Sequence, residues 1–200
     1  MAILRRFGKD FTWELKAKMM GKKATEAAEV MIAELGLEGQ LDPQEFIAER
    51  EAMLHELFPN SELMPGAERL IRHLHACGVP MAVATSSHRR HFDLKTSRHG
   101  ELFGLFDAVV TGDAVRRGKP DPEIFHVAAG RVGFAGAAPR CLVLEDAPVG
   151  IAAANAAGMR SVLVPDPNLS LEGVPEPTAT LKSLSDFDPA FWGLPAFPAC

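Results

Sequence analysis

Glu145 and Asp146 stand side by side at the end of the apolar run Leu142-Val143-Leu144, and Ala147-Pro148-Val149-Gly150 opens a stretch of small residues behind them. Adjacent carboxylates at a strand end suit Mg²⁺, a hard cation that takes oxygen donors and completes its shell with water and a substrate phosphate. A phosphate would then need donors and a counter-charge from elsewhere. Thr85-Ser86-Ser87 follows a second apolar run, residues 79–84, and offers hydroxyls beside the backbone N–H groups of a helix N-terminus, which favour anions. Lys119 lies in Gly118-Lys119-Pro120-Asp121-Pro122, where two prolines hold a long flexible side chain near one place. These three segments predict a pocket for a phosphate, with Mg²⁺ as the cofactor.

Each segment also has a plainer structural use. Glu145 and Asp146 could be an N-cap and a first-turn acid for the helix near Gly150, although the second acid would then sit unpaired at a buried strand end. Thr85-Ser86-Ser87 could cap a helix beginning near His88, and Lys119 could be a solvated surface lysine. His88, His91 and His99 belong to an arginine-rich helix and are expected to face solvent or cap it. Lys22 and Lys23 follow Gly21 in a break between helices, where they form either a solvated turn or a pair that reads the substrate.

The elements that must position these residues follow from hydrophobic periodicity. Residues 1 to about 60 read as helical. Ala24, Ala27, Ala28, Met31 and Leu35 form one stripe that ends at Gly36. Asp42-Pro43-Gln44-Glu45 opens a second helix, with Phe46, Met53, Leu54 and Leu57 on its apolar face. From residue 65 onward, helix and strand alternate. A helix over 65–77 carries Ala67, Leu70, Ile71 and Leu74 on one face, and strands are expected over 79–84, 108–111, 141–144 and 161–164. Each strand is too apolar for a sheet with one wet face, which predicts a doubly wound α/β core with a parallel sheet covered on both sides. Ligands of such sheets collect beyond the carboxyl ends of the strands, where Thr85, Asp113, Glu145, Asp146 and Asp166 fall.

The chain has 200 residues, 47% hydrophobic and 24% charged, with a formal net charge of −5, so it can bury a sizeable core without a disulfide framework. That charge gives no electrostatic reason to expect nucleic acid as a partner. No window approaches the length of a membrane span, and the expected address is the cytoplasm. Cys77, Cys141 and Cys200 show neither CxxC nor Cys/His spacing and read as buried free thiols.

Ala84-Thr85-Ser86-Ser87, Gly118-Lys119-Pro120-Asp121-Pro122 and Leu144-Glu145-Asp146-Ala147-Pro148-Val149-Gly150 resemble, in order, the second, third and fourth motifs of the haloacid dehalogenase (HAD) superfamily of phosphohydrolases. The resemblance is to the subgroup whose helical cap is inserted after the first strand, and it covers nearly the whole chain. Met20-Gly21-Lys22-Lys23, Leu63-Met64-Pro65-Gly66-Ala67-Glu68, Lys95-Thr96-Ser97-Arg98-His99 and Phe191-Trp192-Gly193-Leu194-Pro195 are similar to its pseudouridine-5′-phosphatase branch. The resemblance implies a helical cap over residues 1–62 and a Rossmann-like core over 63–200. It further implies Mg²⁺-dependent hydrolysis of a small phosphorylated metabolite by a monomeric enzyme, through a phospho-aspartyl intermediate. Carried over, Thr85 would bond a phosphoryl oxygen together with Ser86 and Ser87. Lys119 would offset its charge and orient the nucleophile, and Glu145 and Asp146 would hold Mg²⁺.

One motif of the resemblance is missing. The superfamily's first motif, a D-x-D-G at the end of an apolar strand, does not occur here, so no nucleophile is assigned. The sole D-x-D, Asp186-Phe187-Asp188, follows no strand pattern and precedes no glycine. The resemblance therefore implies an N-terminally shortened relative whose core lacks its first strand. Because that strand runs between those ending at Thr85 and Asp146, its loss would unpair backbone groups on both neighbours. Either the neighbours close up or the fold is weak, and phosphatase activity is expected to be impaired. A phosphate- and Mg²⁺-binding relative without catalysis, or a sugar-phosphate mutase-like member, are the alternatives.

Overall fold

The computed structural model describes residues 2–19, 24–167, 169 and 171–198. The chain divides into two compact units, Met1–Asn60 and Ser61–Cys200.

The first unit is helical: α1 (Ala2–Arg5), α2 (Trp13–Met19), α3 (Ala24–Leu35) and α4 (Pro43–Leu57). Its core joins Ile3 and Leu4 to Ala28, Met31 and Ile32 of α3 and Phe46 of α4. The helix after residue 42 starts as its sequence predicts, because Asp42 Oδ1 accepts from Gln44 N at 2.8 Å and Glu45 N at 3.1 Å, with Pro43 at the first helical position. Leu57, expected on the apolar face of α4, is instead 60% exposed.

The second unit comprises α5 (Ala67–Ala76), β1 (Ala82–Ala84), α6 (Arg89–Thr96), α7 (Gly100–Phe103), β2 (Ala108–Val110), α8 (Glu123–Arg131), β3 (Leu142–Glu145), α9 (Pro148–Ala156), β4 (Arg160–Leu163) and β5 (Ala179–Thr180). Each strand pair in it is parallel. Helices cover both faces, as the unbroken apolar strands require. One apolar cluster gathers Ile124, Phe125, Val143, Ala153 and Ala154 around α8 and α9; a second gathers Leu70, Leu74, Met81, Val162, Phe187 and Trp192. Among the described residues, no helix is long and apolar enough to cross a membrane.

The strand expected over 79–84 is shorter than its apolar run. Gly78, at φ 67°, ends the preceding helix, Val79 N bonds back to Leu74 O at 3.0 Å, and Pro80 has no N–H to give a ladder. Helix α5 likewise starts two residues later than expected, after Gly66 at φ 85°. A Cβ there would lie 2.3 Å from Ser185 N, so only glycine fits where this turn meets the C-terminal segment. The two-residue β5 carries too little pattern to be read from sequence. The thiols differ from expectation too: Cys77, at the C-cap of α5, is exposed, Cys141 is half-buried, and Cys200 lies outside the described residues.

The parallel strands do not form the single sheet expected. Among the described residues they form two, β1-β2 and β3-β4-β5. β1 and β3 do not close up on each other; a cavity of about 760 Å³ is lined by residues of both strands and by apolar side chains from either face.

Candidate active site

Lys119 ties the carboxyl ends of β1 and β3 together. Its Nζ donates to Ala84 O at 3.0 Å, the last carbonyl of β1, and forms an ion pair with the Glu145 carboxylate at the end of β3. The two side chains are 7% and 9% exposed. The ammonium also lies 4.8 Å from the centroid of the Phe125 ring, whose π face favours a cation.

The loop carrying Lys119 is held from its own sequence. Glu123, at the start of α8, accepts from Arg116 N at 3.0 Å and Arg117 N at 3.1 Å, and Asp121 Oδ1 accepts from Glu123 N at 2.9 Å. The bonds from Arg116 and Arg117, led by the Arg116 N–H, hold the Glu123 carboxyl below its usual value. The Lys119–Pro120 peptide is cis.

Glu145 continues the ladder of β3, its carbonyl accepting from Val164 N at 2.7 Å. Its carboxylate folds over the first turn of α9, where a Cβ on Gly150 would lie 2.1 Å from Glu145 Cδ. Burial pushes the Glu145 carboxyl above its usual value, and the opposing pull of Lys119 does not fully offset it. Asp146, next in the chain, is exposed. The capping alternative fails for this pair, because Ala147 is the N-cap of α9 and no side chain caps it.

Thr85 leaves β1 with its N–H on Val110 O at 3.0 Å, and its Oγ1 accepts from Ser87 N at 3.1 Å. Ser87 O accepts from Gly112 N at 2.9 Å, and a Cβ on Gly112 would lie 2.4 Å from Ser86 O, so the turn after β2 presses directly on the Thr85-Ser86-Ser87 turn. The N-cap of α6 is His88, with no side-chain cap bond, so the Thr85 hydroxyl organises its own turn and does not cap the helix. Asp113 Oδ1 accepts from Arg89 N at 3.0 Å in the first turn of α6. Its carboxyl is held below its usual value, first by the Thr111 hydroxyl. His99 Nε2 pairs with Ser61 O at 2.8 Å, His91 is half-buried and His88 exposed.

The structure therefore joins Lys119 and Glu145 directly and brings Thr85 next to them through Ala84, with Asp146 alongside. Ser86 and Ser87 share the Thr85 turn, whereas Lys22 and Lys23 lie outside the described residues. Asp188 Oδ1 accepts from Ala190 N at 3.0 Å within a C-terminal turn. Sequence reading missed two participants, Lys95, whose Nζ donates to Ser87 Oγ at 3.0 Å, and Phe125. Lys95 was detectable, since it stands seven residues after His88 and so on the same helical face as the start of α6.

The family model for haloacid dehalogenase-like hydrolases matches residues 1–158, and the chain belongs to that family. Over 198 residues it is 51% identical to (DL)-glycerol-3-phosphatase 2 of Arabidopsis thaliana, covering 98% of this chain and 82% of that protein. Over 198 residues it is 46% identical to a Drosophila melanogaster protein named "Probable pseudouridine-5'-phosphatase", covering 98% and 85%. Among solved structures, a HAD hydrolase of family IA, variant 3, from Entamoeba histolytica superposes with a TM-score of 0.71 at 21% identity, over 92% of this chain and 83% of that one. β-Phosphoglucomutase from Clostridium difficile gives 0.65 at 19% identity, over 95% and 84%. At such identities these two structures share the fold alone.

Proposed function

We propose that this chain carries the phosphate- and Mg²⁺-binding part of a phosphomonoesterase site and takes a small phosphorylated metabolite, with pseudouridine 5′-phosphate as the first candidate. The observation that supports this is the buried Lys119, spanning the Ala84 carbonyl beside Thr85 and the Glu145 carboxylate, at the carboxyl ends of two parallel strands. Thr85, Ser86 and Ser87 supply hydroxyl and backbone donors for phosphoryl oxygens at the start of α6, and Lys119 offsets their charge.

Glu145 and Asp146 fit Mg²⁺. They offer adjacent oxygen donors, Glu145 in its ion pair with Lys119 and Asp146 exposed. Among the described residues no cluster of three or more His, Cys, Asp and Glu side chains could hold a metal ion. The ion, when bound, would neutralise charge on the phosphoryl group.

These 200 residues contain no aspartate in the family's nucleophile motif, so the reading is binding with little or no turnover by this chain. Glycerol 3-phosphate is the second candidate, because the relative named for it is 51% identical. Lys22 and Lys23 are the residues proposed to read the substrate. Monomeric action in the cytoplasm belongs to the same reading.

Calorimetric titration with both metabolites, with and without Mg²⁺, tests it. Saturable Mg²⁺-dependent binding that Lys119→Met abolishes is expected, with phosphate release at background. Folded protein that binds neither metabolite would overturn the binding site, and robust phosphate release would overturn the assignment of no nucleophile.

A further inference from the structure

We propose that Lys95 is a positioning residue of the phosphate site, holding the Ser87 hydroxyl so that its proton is given to a phosphoryl oxygen. This inference rests on the proposed phosphate site and adds to it a residue from outside the segments that define it.

Lys95 Nζ donates to Ser87 Oγ at 3.0 Å, and both residues are half-buried. An ammonium has donors and no acceptor, so Ser87 Oγ accepts here and its hydroxyl proton must go to another group. The backbone of Ser87 is engaged within the fold: its N–H donates to Thr85 Oγ1 at 3.1 Å, and its carbonyl accepts from Gly112 N at 2.9 Å. Thr85 is arranged in the same way, since its Oγ1 accepts from Ser87 N and keeps its own proton to give. The hydroxyls of Thr85 and Ser87 are thereby set as donors, the first by a backbone amide and the second by a cation. Such a pair matches an anion, and a hydroxyl that accepts from an ammonium is the stronger donor.

The segment that begins with Lys95 fixes where its side chain starts from. Lys95 lies in the last turn of α6, and helical side chains lean toward the N-terminus, which carries a long one back to the turn before the N-cap His88. Thr96 Oγ1 donates to Phe92 O and Ser97 Oγ to Leu94 O, each at 2.9 Å, and His99 Nε2 pairs with Ser61 O at 2.8 Å. Phe92, on the same helix, is buried and packs edge-to-face on Phe103 with 5.6 Å between ring centroids. The run Lys95-Thr96-Ser97-Arg98-His99, which the proposed site does not otherwise use, thus anchors the helix that aims Lys95. The ammonium arrives at the positive end of that helix's dipole and adds to a potential that favours an anion.

The probe is inorganic phosphate with Mg²⁺, titrated calorimetrically into the full chain, and urea unfolding of each variant checks that it is folded. Lys95→Met keeps the apolar stem and should weaken phosphate binding about tenfold, the effect of one charge-assisted hydrogen bond. Ser87→Ala should weaken it by a similar factor. Lys95→Arg keeps the donor and the charge and should bind within about threefold of the parent. On a Ser87→Ala background, Lys95→Met should cost less than about twofold, because the hydroxyl it acts through is gone. A folded Lys95→Met or Ser87→Ala chain that binds like the parent would overturn the role of Lys95 and leave the phosphate site standing. So would equal losses for Met and Arg, which mark a packing effect, or an undiminished loss without the Ser87 hydroxyl. Failure of the parent chain itself to bind phosphate would overturn the phosphate site and this inference with it.

Discussion

Gly150 lacks a side chain at the place where the Glu145 carboxylate lies; an added Cβ would stand 2.1 Å from Glu145 Cδ and 2.5 Å from its Oε1. The bare Gly150 leaves room for the Glu145 carboxylate in its ion pair with Lys119. The flexible carboxylate, not the helix backbone, must yield to any substituent there.

Gly150→Ala should therefore swing Glu145 out of its ion pair and destabilise the chain by about 1–3 kcal/mol, the range for a group forced into filled space. Urea unfolding measures it. Combined with Glu145→Gln, the loss should be clearly less than the sum of the single losses, because both act through one contact. Additive losses would mean that Gly150 matters for another reason.

Lys119→Met should cost about 3–5 kcal/mol, since it strands a buried carboxylate without its cation. The double variant Lys119→Met with Glu145→Gln should recover much of that loss, as it removes both charges together. Thermal unfolding of the three variants decides it. A single variant as stable as the parent would mean that the pair contributes nothing to the fold.

Gly112→Ala should disturb the Thr85-Ser86-Ser87 turn, because its Cβ would lie 2.4 Å from Ser86 O, a backbone atom with little freedom to move. A destabilisation of about 1–3 kcal/mol is expected, with phosphate affinity reduced. Unfolding and calorimetry on the same preparation separate the two effects.

Glu123 holds the Lys119 loop and has a folded pKa below its ordinary 4.5, with the Arg116 N–H as the chief cause. A lowered carboxylate contributes stability above its unfolded value and loses it as pH falls through the folded one, because the unfolded chain binds more protons there. The same sign holds for Asp113, below its ordinary 3.8. Stability should thus decline as the pH falls below about 4.5, and Glu123→Gln should make that decline shallower. Urea unfolding across this range is the measurement, and an unchanged slope in the variant would exclude the loop as its source.

Much of this protein was legible in its residues. The N-cap at Asp42, the alternation of helix and strand after residue 65 and the placing of Thr85, Glu145 and Asp146 at strand ends all follow from local rules of capping and periodicity, which act within a few residues. The three segments pointing to phosphate chemistry were visible for the same reason, as each depends on neighbours in sequence. Less was legible where a long-range contact decides the outcome. Gly66, Gly112 and Gly150 owe their identity to atoms of Ser185, Ser86 and Glu145, and the pairing of Lys119 with Glu145 joins residues 26 positions apart. The division of the strands into two sheets is likewise tertiary, since an apolar run such as 79–84 or Leu142-Val143-Leu144 reads the same whether or not a neighbour pairs with its edge. Sequence determines which backbone can become a strand; only packing in three dimensions decides where its hydrogen bonds end, and among the described residues β1 pairs with β2 while β3 pairs with β4.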